Sequence, residues 1–166
     1  MRRNRDPVST LTLHLPDAAA TERAGANIAP ILRGGMVVTL QGDLGTGKTT
    51  LARGLLRARG VAGPIKSPTY ALVEHYPVSS LYFYHFDFYR FMNPDEWDYA
   101  GMSDYFRDDA VCIVEWPERV ASRLPSPDLA LSLSHPVHAD GRALVVQAFS
   151  RAGEQCLSAL AAGPAR

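Results

Sequence analysis

Between the apolar run MVVTLQG, Met36 to Gly42, and the leucine-bearing segment TLARGLLRARG, Thr50 to Gly60, the chain carries GDLGTGKTT. Few folds accept that succession. Gly42, Gly45 and Gly47 permit backbone conformations that other residues avoid, so a tight turn belongs there. The run before it is β-branched and apolar, suited to a central strand buried on both faces. After it, Leu51, Leu55 and Leu56 recur at helical spacing until Gly60 stops the pattern. Strand, glycine turn and helix in this order need a sheet with a helix packed on it, which points to an α/β domain.

The spacing also says what the turn holds. Gly42-x4-Gly47-Lys48-Thr49 is the P-loop pattern: glycines let successive backbone N–H groups point inward at phosphate oxygens, Lys48 reaches the terminal phosphates, and the Thr49 hydroxyl joins a Mg2+ shell. The expected ATP-binding set is Asp43, Leu44, Gly45, Thr46, Gly47, Lys48, Thr49 and Thr50. Of the 17 basic residues only Lys48 and Lys66 are lysines. A general bias towards arginine explains the rest, and a compact ammonium suits a tight phosphate cradle better than a planar guanidinium.

A P-loop needs an acid for the metal's water shell, normally at the tip of a neighbouring strand. Asp87, ending YFYHFD, and Glu115, ending AVCIVE, both qualify. Glu115 follows the longer apolar run and is the favoured metal-side acid beside Thr49, with Asp87 positioning the attacking water or its proton. The segment IKSPTY follows the P-loop helix, where such proteins keep loops that sense the γ-phosphate. Lys66, Ser67 and Thr69 supply the charge and hydroxyls of a sensor, against the plainer reading of an ordinary Pro68 turn. His85, on an aromatic strand, reads as a core histidine. Trp116 is either hinge packing or a partner contact.

The rest of the chain supports one domain. With 166 residues and 46% hydrophobic content, it can bury one core but not two ordinary ones. Leu11, Leu13 and Leu15 alternate as a short strand, and a helix is expected from Asp17 or Thr21 through Ile28 and Leu32 to Gly34. YALVEHY and LYFYHFDFYR read as two strands around a PVSS turn. A helix starts at Asn93-Pro94 and is expected to run to about Phe106. PERVASRL reads as a short helix opened by Pro117, DLALSLS and RALVVQAF as a hairpin, and the segment after Ser150 as a closing helix. Residues 1–8 are expected to be a flexible basic tail, 9–162 the domain, and 163–166 a frayed end.

Seventeen acidic residues balance the basic ones, so the chain lacks the basic footprint of a direct nucleic-acid binder. No apolar run approaches the length of a membrane span, and Cys112 and Cys156 show no metal or disulfide spacing. These features suit a soluble protein of a reducing cytoplasm.

GDLGTGKTTLARG, KSPTYALVE, YHFDFYR and VEWPER, in this order and at these intervals, resemble the TsaE family, the ATPase component of the bacterial machinery that makes N6-threonylcarbamoyladenosine in tRNA. The resemblance runs from about Leu11 to Phe149. It implies a single P-loop NTPase domain with a mostly parallel central sheet, flanking antiparallel strands and helices on both faces. It implies that Thr49 and Glu115 bind Mg2+ and that Asp87 is needed for ATP hydrolysis to ADP, with hydrolysis weak in the lone protein. It also implies partners: TsaB and TsaD, with TsaD modifying adenosine 37 of tRNAs that read codons starting with A, tRNA being met only through the complex. Arg142, in the late hairpin, is a candidate adenine contact. Tyr70 and Trp116 are candidates for the partner-facing surface. Two other functions remain open on the residues: a small-molecule or nucleotide kinase with Arg119 and Arg123 in its lid, and an adaptor that senses nucleotide without turnover.

Overall fold

The computed structural model of this chain describes residues 5–163. The expected basic tail includes residues 1–4 and the expected frayed end residues 164–166, and these lie outside the described residues. A seven-stranded sheet forms the centre, in the order β1-β7-β6-β2-β5-β4-β3. Its strands are β1 Ser9–Leu15, β2 Val37–Gln41, β3 Val73–Val78, β4 Leu81–Asp87, β5 Ala110–Glu115, β6 Leu129–Ser134 and β7 Arg142–Ala148. Strands β6, β2, β5 and β4 run parallel, whereas β7 and β1 at one edge and β3 at the other pair antiparallel.

The four parallel strands are covered on both faces, and the period-two alternation of strand side chains separates two cores. Val38 and Leu40 of β2, with Val111 and Ile113 of β5, face helices α1 (Ala18–Ile28), α2 (Lys48–Ala58) and α4 (Arg151–Ala162). Val37, Cys112 and Val114 face the opposite way, onto Trp97 of the short helix α3 (Asp95–Tyr99), Met102 and Val120. Thus three longer helices cover one face, and a single short helix with 3-10 turns at Met102–Tyr105 and Pro117–Val120 covers the other.

Helix ends follow local chemistry. The Asp17 side chain accepts from Ala20 N at 2.7 Å and Ser150 from Gly153 N at 3.1 Å, each capping its helix. Three expected helices are shorter than their sequence pattern. The helix expected to reach Gly34 ends at Ile28, where Pro30 brings in a 3-10 turn over Ala29–Ile31 and Leu32 is already extended. The helix after Asn93 stops at Tyr99 because Gly101 adopts φ 66°, and the chain continues as a 3-10 turn instead of reaching Phe106 as a helix. PERVASRL forms only the 3-10 turn, after which Arg123 is drawn to Asp98 at 2.9 Å and Asp95 at 2.8 Å on α3.

Helices α1 and α2 cross so closely that their glycines touch the opposite backbone. A Cβ on Gly54 would lie 2.0 Å from the Glu22 carbonyl oxygen, and one on Gly25 2.1 Å from that of Leu51. Since backbone cannot give way as a side chain tip can, Gly54→Ala is expected to cost about 2–4 kcal/mol. That corresponds to a fall of roughly 5–15 °C in the unfolding midpoint for a chain of this size. An unchanged midpoint by scanning calorimetry would show that the two helices separate freely.

Both cysteines are free and buried. Burial pushes the Cys112 thiol up to about 12, and burial with the nearby Asp128 charge pushes Cys156 up to about 11. Because the thiolate is the nucleophile, the folded protein at pH 8 is expected to take up no iodoacetamide within an hour, and both thiols to react in denaturant. Mass spectrometry reads this, and rapid native labelling of either thiol would contradict it.

Candidate functional site

Strand register builds the site. Leu40 pairs with Glu115 across β2 and β5, and Glu115 pairs with Asp87 across β5 and β4. All three strands point the same way, so the two acids and the start of the glycine turn come out side by side at the carboxyl ends of the parallel strands. That edge is where open α/β sheets present their crevices. A cleft of about 340 Å3 lies there, lined by Leu44, Gly45, Gly47, Lys48, Thr49, Thr50, Ser67, Thr69, Asp87, Tyr89, Glu115 and Trp116.

The loop from Gly42 to Gly47 folds tightly onto itself. Thr46, 1% exposed, donates its hydroxyl to the Asp43 carbonyl at 2.9 Å. Gly47 adopts φ 106° as it leads into α2, a conformation in which other residues are strained. No acidic side chain stands in the first turn of α2, whose N-terminal end opens on the cleft. Lys48 is 5% exposed and donates to the carbonyls of Gly42 at 2.6 Å and Asp43 at 2.8 Å. Burial lowers its pKa, and the charges of Glu115, Asp87, Glu118 and Asp43 offset that only in part.

The acids form a connected group behind the lysine. Thr49 Oγ1 donates to Glu115 Oε1 at 2.9 Å, and Ser67 Oγ lies 3.3 Å from Glu115 Oε2. Ser67 also donates to Asp87 Oδ2, as does Thr69 at 3.4 Å, while Tyr89 N donates to Asp87 Oδ1 at 2.9 Å. Glu115 is 2% and Asp87 4% exposed. Burial pushes the Glu115 carboxyl up, but the His85 hydrogen bond and charge, the Thr49 hydroxyl and Lys48 outweigh it and hold the group below the usual carboxylate range.

A hydroxyl and one carboxylate side by side, next to a loop of backbone donors, are the donor types that Mg2+ takes when it shares its shell with waters and phosphates. Among the described residues no cluster of three or more His, Cys, Asp or Glu forms a closed metal cage. The donor set fits a metal that arrives with a polyphosphate.

Of the expected sensor residues, Ser67 and Thr69 reach the acids, whereas Lys66 is exposed and does not line the cleft. Asp43 and Thr46 do not line the cleft: the Asp43 carbonyl accepts from Lys48 and Thr46, and Thr46 is buried within the loop. Trp116 takes a left-handed backbone, φ 57°, which is a real outlier for a bulky residue. Its ring packs at a 50° tilt against that of Tyr89, centroids 4.9 Å apart, and carries the Lys48 ammonium 4.4 Å from its centroid. Arg142 sits on the loop's backbone: Nε donates to the Thr46 carbonyl at 3.0 Å and Nη2 to that of Gly45 at 3.3 Å.

His85 is the residue that the sequence reading undervalued. It is fully buried, as a core histidine would be, yet its Nε2 lies 3.2 Å from Glu115 Oε1. Its Nδ1 is the one buried side-chain polar atom without a partner among the described residues. The signal was present in the period-two pattern, which puts His85 on the same face of β4 as Asp87.

Comparison with known proteins identifies the family. The family profile described as threonylcarbamoyl adenosine biosynthesis protein TsaE matches residues 15–144. The chain is 38% identical over 157 residues to a tRNA threonylcarbamoyladenosine biosynthesis protein TsaE of Haemophilus influenzae, covering 92% of this chain and 98% of the relative. It is 39% identical over 122 residues to the protein of the same name from Synechocystis, covering 71% and 76%. The crystal structure of YdiB from Bacillus subtilis superposes with a TM-score of 0.78 at 26% identity, covering 93% of this chain and 95% of that one. With that fold, that span and those relatives, the chain belongs to the TsaE family, the threonylcarbamoyl adenosine biosynthesis proteins.

Proposed function

We propose that this chain is the Mg2+-dependent ATPase of tRNA N6-threonylcarbamoyladenosine synthesis. It acts with TsaB and TsaD in the cytoplasm and resets their complex by hydrolysing ATP after adenosine 37 has been modified in tRNAs reading ANN codons. The relatives' names supply the pathway. The observation that carries the chemistry is the Thr49 to Glu115 hydrogen bond at the foot of the glycine loop, joined to Asp87 through Ser67.

In this reading the loop amides and Lys48 bind the β- and γ-phosphates of ATP, and the Lys48 ammonium leaves the Gly42 and Asp43 carbonyls for phosphate oxygens. Thr49 and Glu115 would hold Mg2+, which when bound would supply charge neutralisation to the polyphosphate. Asp87 orients the attacking water and holds its proton. The water oxygen bonds to the γ-phosphorus as the bridge to ADP breaks, releasing ADP and phosphate. Ser67 and Thr69, bonded to Asp87, place the segment after α2 where it registers the γ-phosphate. Such a site needs no base from tRNA, in keeping with a neutral chain that meets tRNA through its partners.

A kinase fits less well. Its lid arginines would have to be free, but Arg123 is held by Asp95 and Asp98, and Arg119 lies over the rings of Tyr89 and Trp116 at 5.8 and 6.0 Å. The deciding experiment measures phosphate release by the purified protein alone and with TsaB, TsaD and tRNA. We expect slow release alone, at least about tenfold faster release with the partners, and none above background in Lys48→Ala. Brisk transfer to a small acceptor without the partners would overturn the proposal.

A further inference from the structure

Arg142 stands at the start of β7, paired in register with Leu15 of β1. Its neighbour Gly141 lies so close to β1 that a Cβ there would come 2.3 Å from the Leu15 carbonyl oxygen. The backbone that carries the guanidinium is therefore fixed by the sheet edge. From there the head group reaches three carbonyls: Thr46 at 3.0 Å from Nε, Gly45 at 3.3 Å from Nη2, and Gly141 at 2.9 Å from Nη1. Among the described residues no carboxylate lies within ion-pair distance of it. Arg142 does not line the cleft, although Gly45 and Gly47 do.

We propose that Arg142 is a positioning residue that fixes the turn of the glycine loop and aims its Gly47 amide at phosphate, and not a contact to the base. A peptide unit is planar and trans, so its carbonyl and the N–H of the next residue point in opposite directions. Holding the Thr46 carbonyl sets the direction of the Gly47 N–H, whereas holding the Gly45 carbonyl keeps the Thr46 N–H turned into the loop, onto the Asp43 carbonyl at 3.3 Å, and so fixes the turn behind that amide. The rigid fork of a guanidinium spans the two carbonyls at once, which a single ammonium cannot do. Glycines on either side of Thr46 would otherwise let these peptides rotate at little cost. Arg142 removes that freedom before phosphate arrives, so less ordering entropy is lost on binding. Its unpaired positive charge behind the loop adds a favourable field for the anion.

The inference rests on the nucleotide-binding reading above, and calorimetry with two ligands separates the two. The probes are ADP and inorganic tripolyphosphate, each with Mg2+, together with GDP. In Arg142→Ala both ADP and tripolyphosphate are expected to bind about tenfold more weakly and by the same factor, with the ADP to GDP preference unchanged. Arg142→Lys keeps the charge but not the span, and is expected to lose a smaller, again equal, factor. Fitted stoichiometry reports the binding-competent fraction, and the lysine variant answers the question if the alanine variant does not fold.

Tripolyphosphate binding that stays at the wild-type level while ADP weakens, or a changed ADP to GDP preference, would make Arg142 a base contact and overturn the proposal. So would unchanged affinity for both ligands in a folded variant. If the wild-type protein itself binds neither ligand, the nucleotide-binding reading fails, and this inference with it.

Discussion

Lys48→Ala is expected to weaken ADP and ATP binding by about a hundredfold while leaving the fold almost as stable as before. The ammonium is positioned by α2 at the mouth of the loop and is nearly buried. Charge-assisted hydrogen bonds contribute about 1.5–3 kcal/mol each, so losing the contacts to terminal phosphates removes roughly 3 kcal/mol, or two powers of ten in Kd. Folding is a separate matter. Burial of Lys48 already disfavours its charged form, as its lowered pKa records, and truncation removes that cost together with two hydrogen bonds to carbonyls. The two losses oppose each other, and a change in stability within about 1 kcal/mol is expected. Calorimetric titration with Mg-ADP beside a thermal melt checks both halves. A variant that binds ADP as well as the parent protein would remove Lys48 from the phosphate site.

Asp87→Asn should separate binding from turnover. The carboxylate is held by the Tyr89 amide, Ser67 and Thr69, and it lies level with Glu115 across the strand pair. It does not touch the glycine loop among its hydrogen-bonding partners, so ADP affinity is expected to stay within about threefold of the parent value. A group that positions the nucleophile and holds its proton contributes about 10²–10⁴ in rate. Phosphate release in the presence of TsaB and TsaD is therefore expected to fall by at least a hundredfold. The amide preserves shape and most of the hydrogen bonding, which keeps the comparison clean. Undiminished hydrolysis with undiminished function would take Asp87 out of the chemistry. Lost hydrolysis with full tRNA modification would instead favour an adaptor that acts by occupancy alone.

His85 adds a link between the two acids. It sits beneath Asp87 on β4 and bonds to Glu115 on β5, so it couples the orientation of the favoured metal-side acid to the strand that carries Asp87. With Nε2 turned to the carboxylate, Nδ1 is buried without a hydrogen-bond partner among the described residues. A buried polar atom left in this way costs free energy, and such costs concentrate where function constrains a side chain.

The glycine spacing, the strand before it and the helix after it were legible in the sequence because each is encoded within a few neighbouring residues. Strand alternation and capping residues such as Asp17 and Ser150 belong to the same local class. Glu115 and Asp87 could be nominated as strand-end acids for that reason, but their meeting with Thr49 and Ser67 depends on pairing between distant strands. Thr49 and Glu115 are 66 residues apart, and only the register of β2 on β5 brings their oxygens within 2.9 Å. The short α3 was hidden because one glycine conformation outweighed an otherwise helical pattern.

Arg142 marks the division most clearly. Its type and position in a late hairpin suggested a contact to bound nucleotide, and the three-dimensional structure puts its guanidinium on loop carbonyls 96 and 97 residues earlier in the chain. The sequence alone determined that this protein carries a glycine turn between a strand and a helix of an α/β sheet, since local periodicity and turn chemistry specify local backbone. Which side chains converge on that loop, and from which side, was decided only by tertiary pairing, because hydrogen bonds across a sheet join residues with no neighbour relation in the sequence.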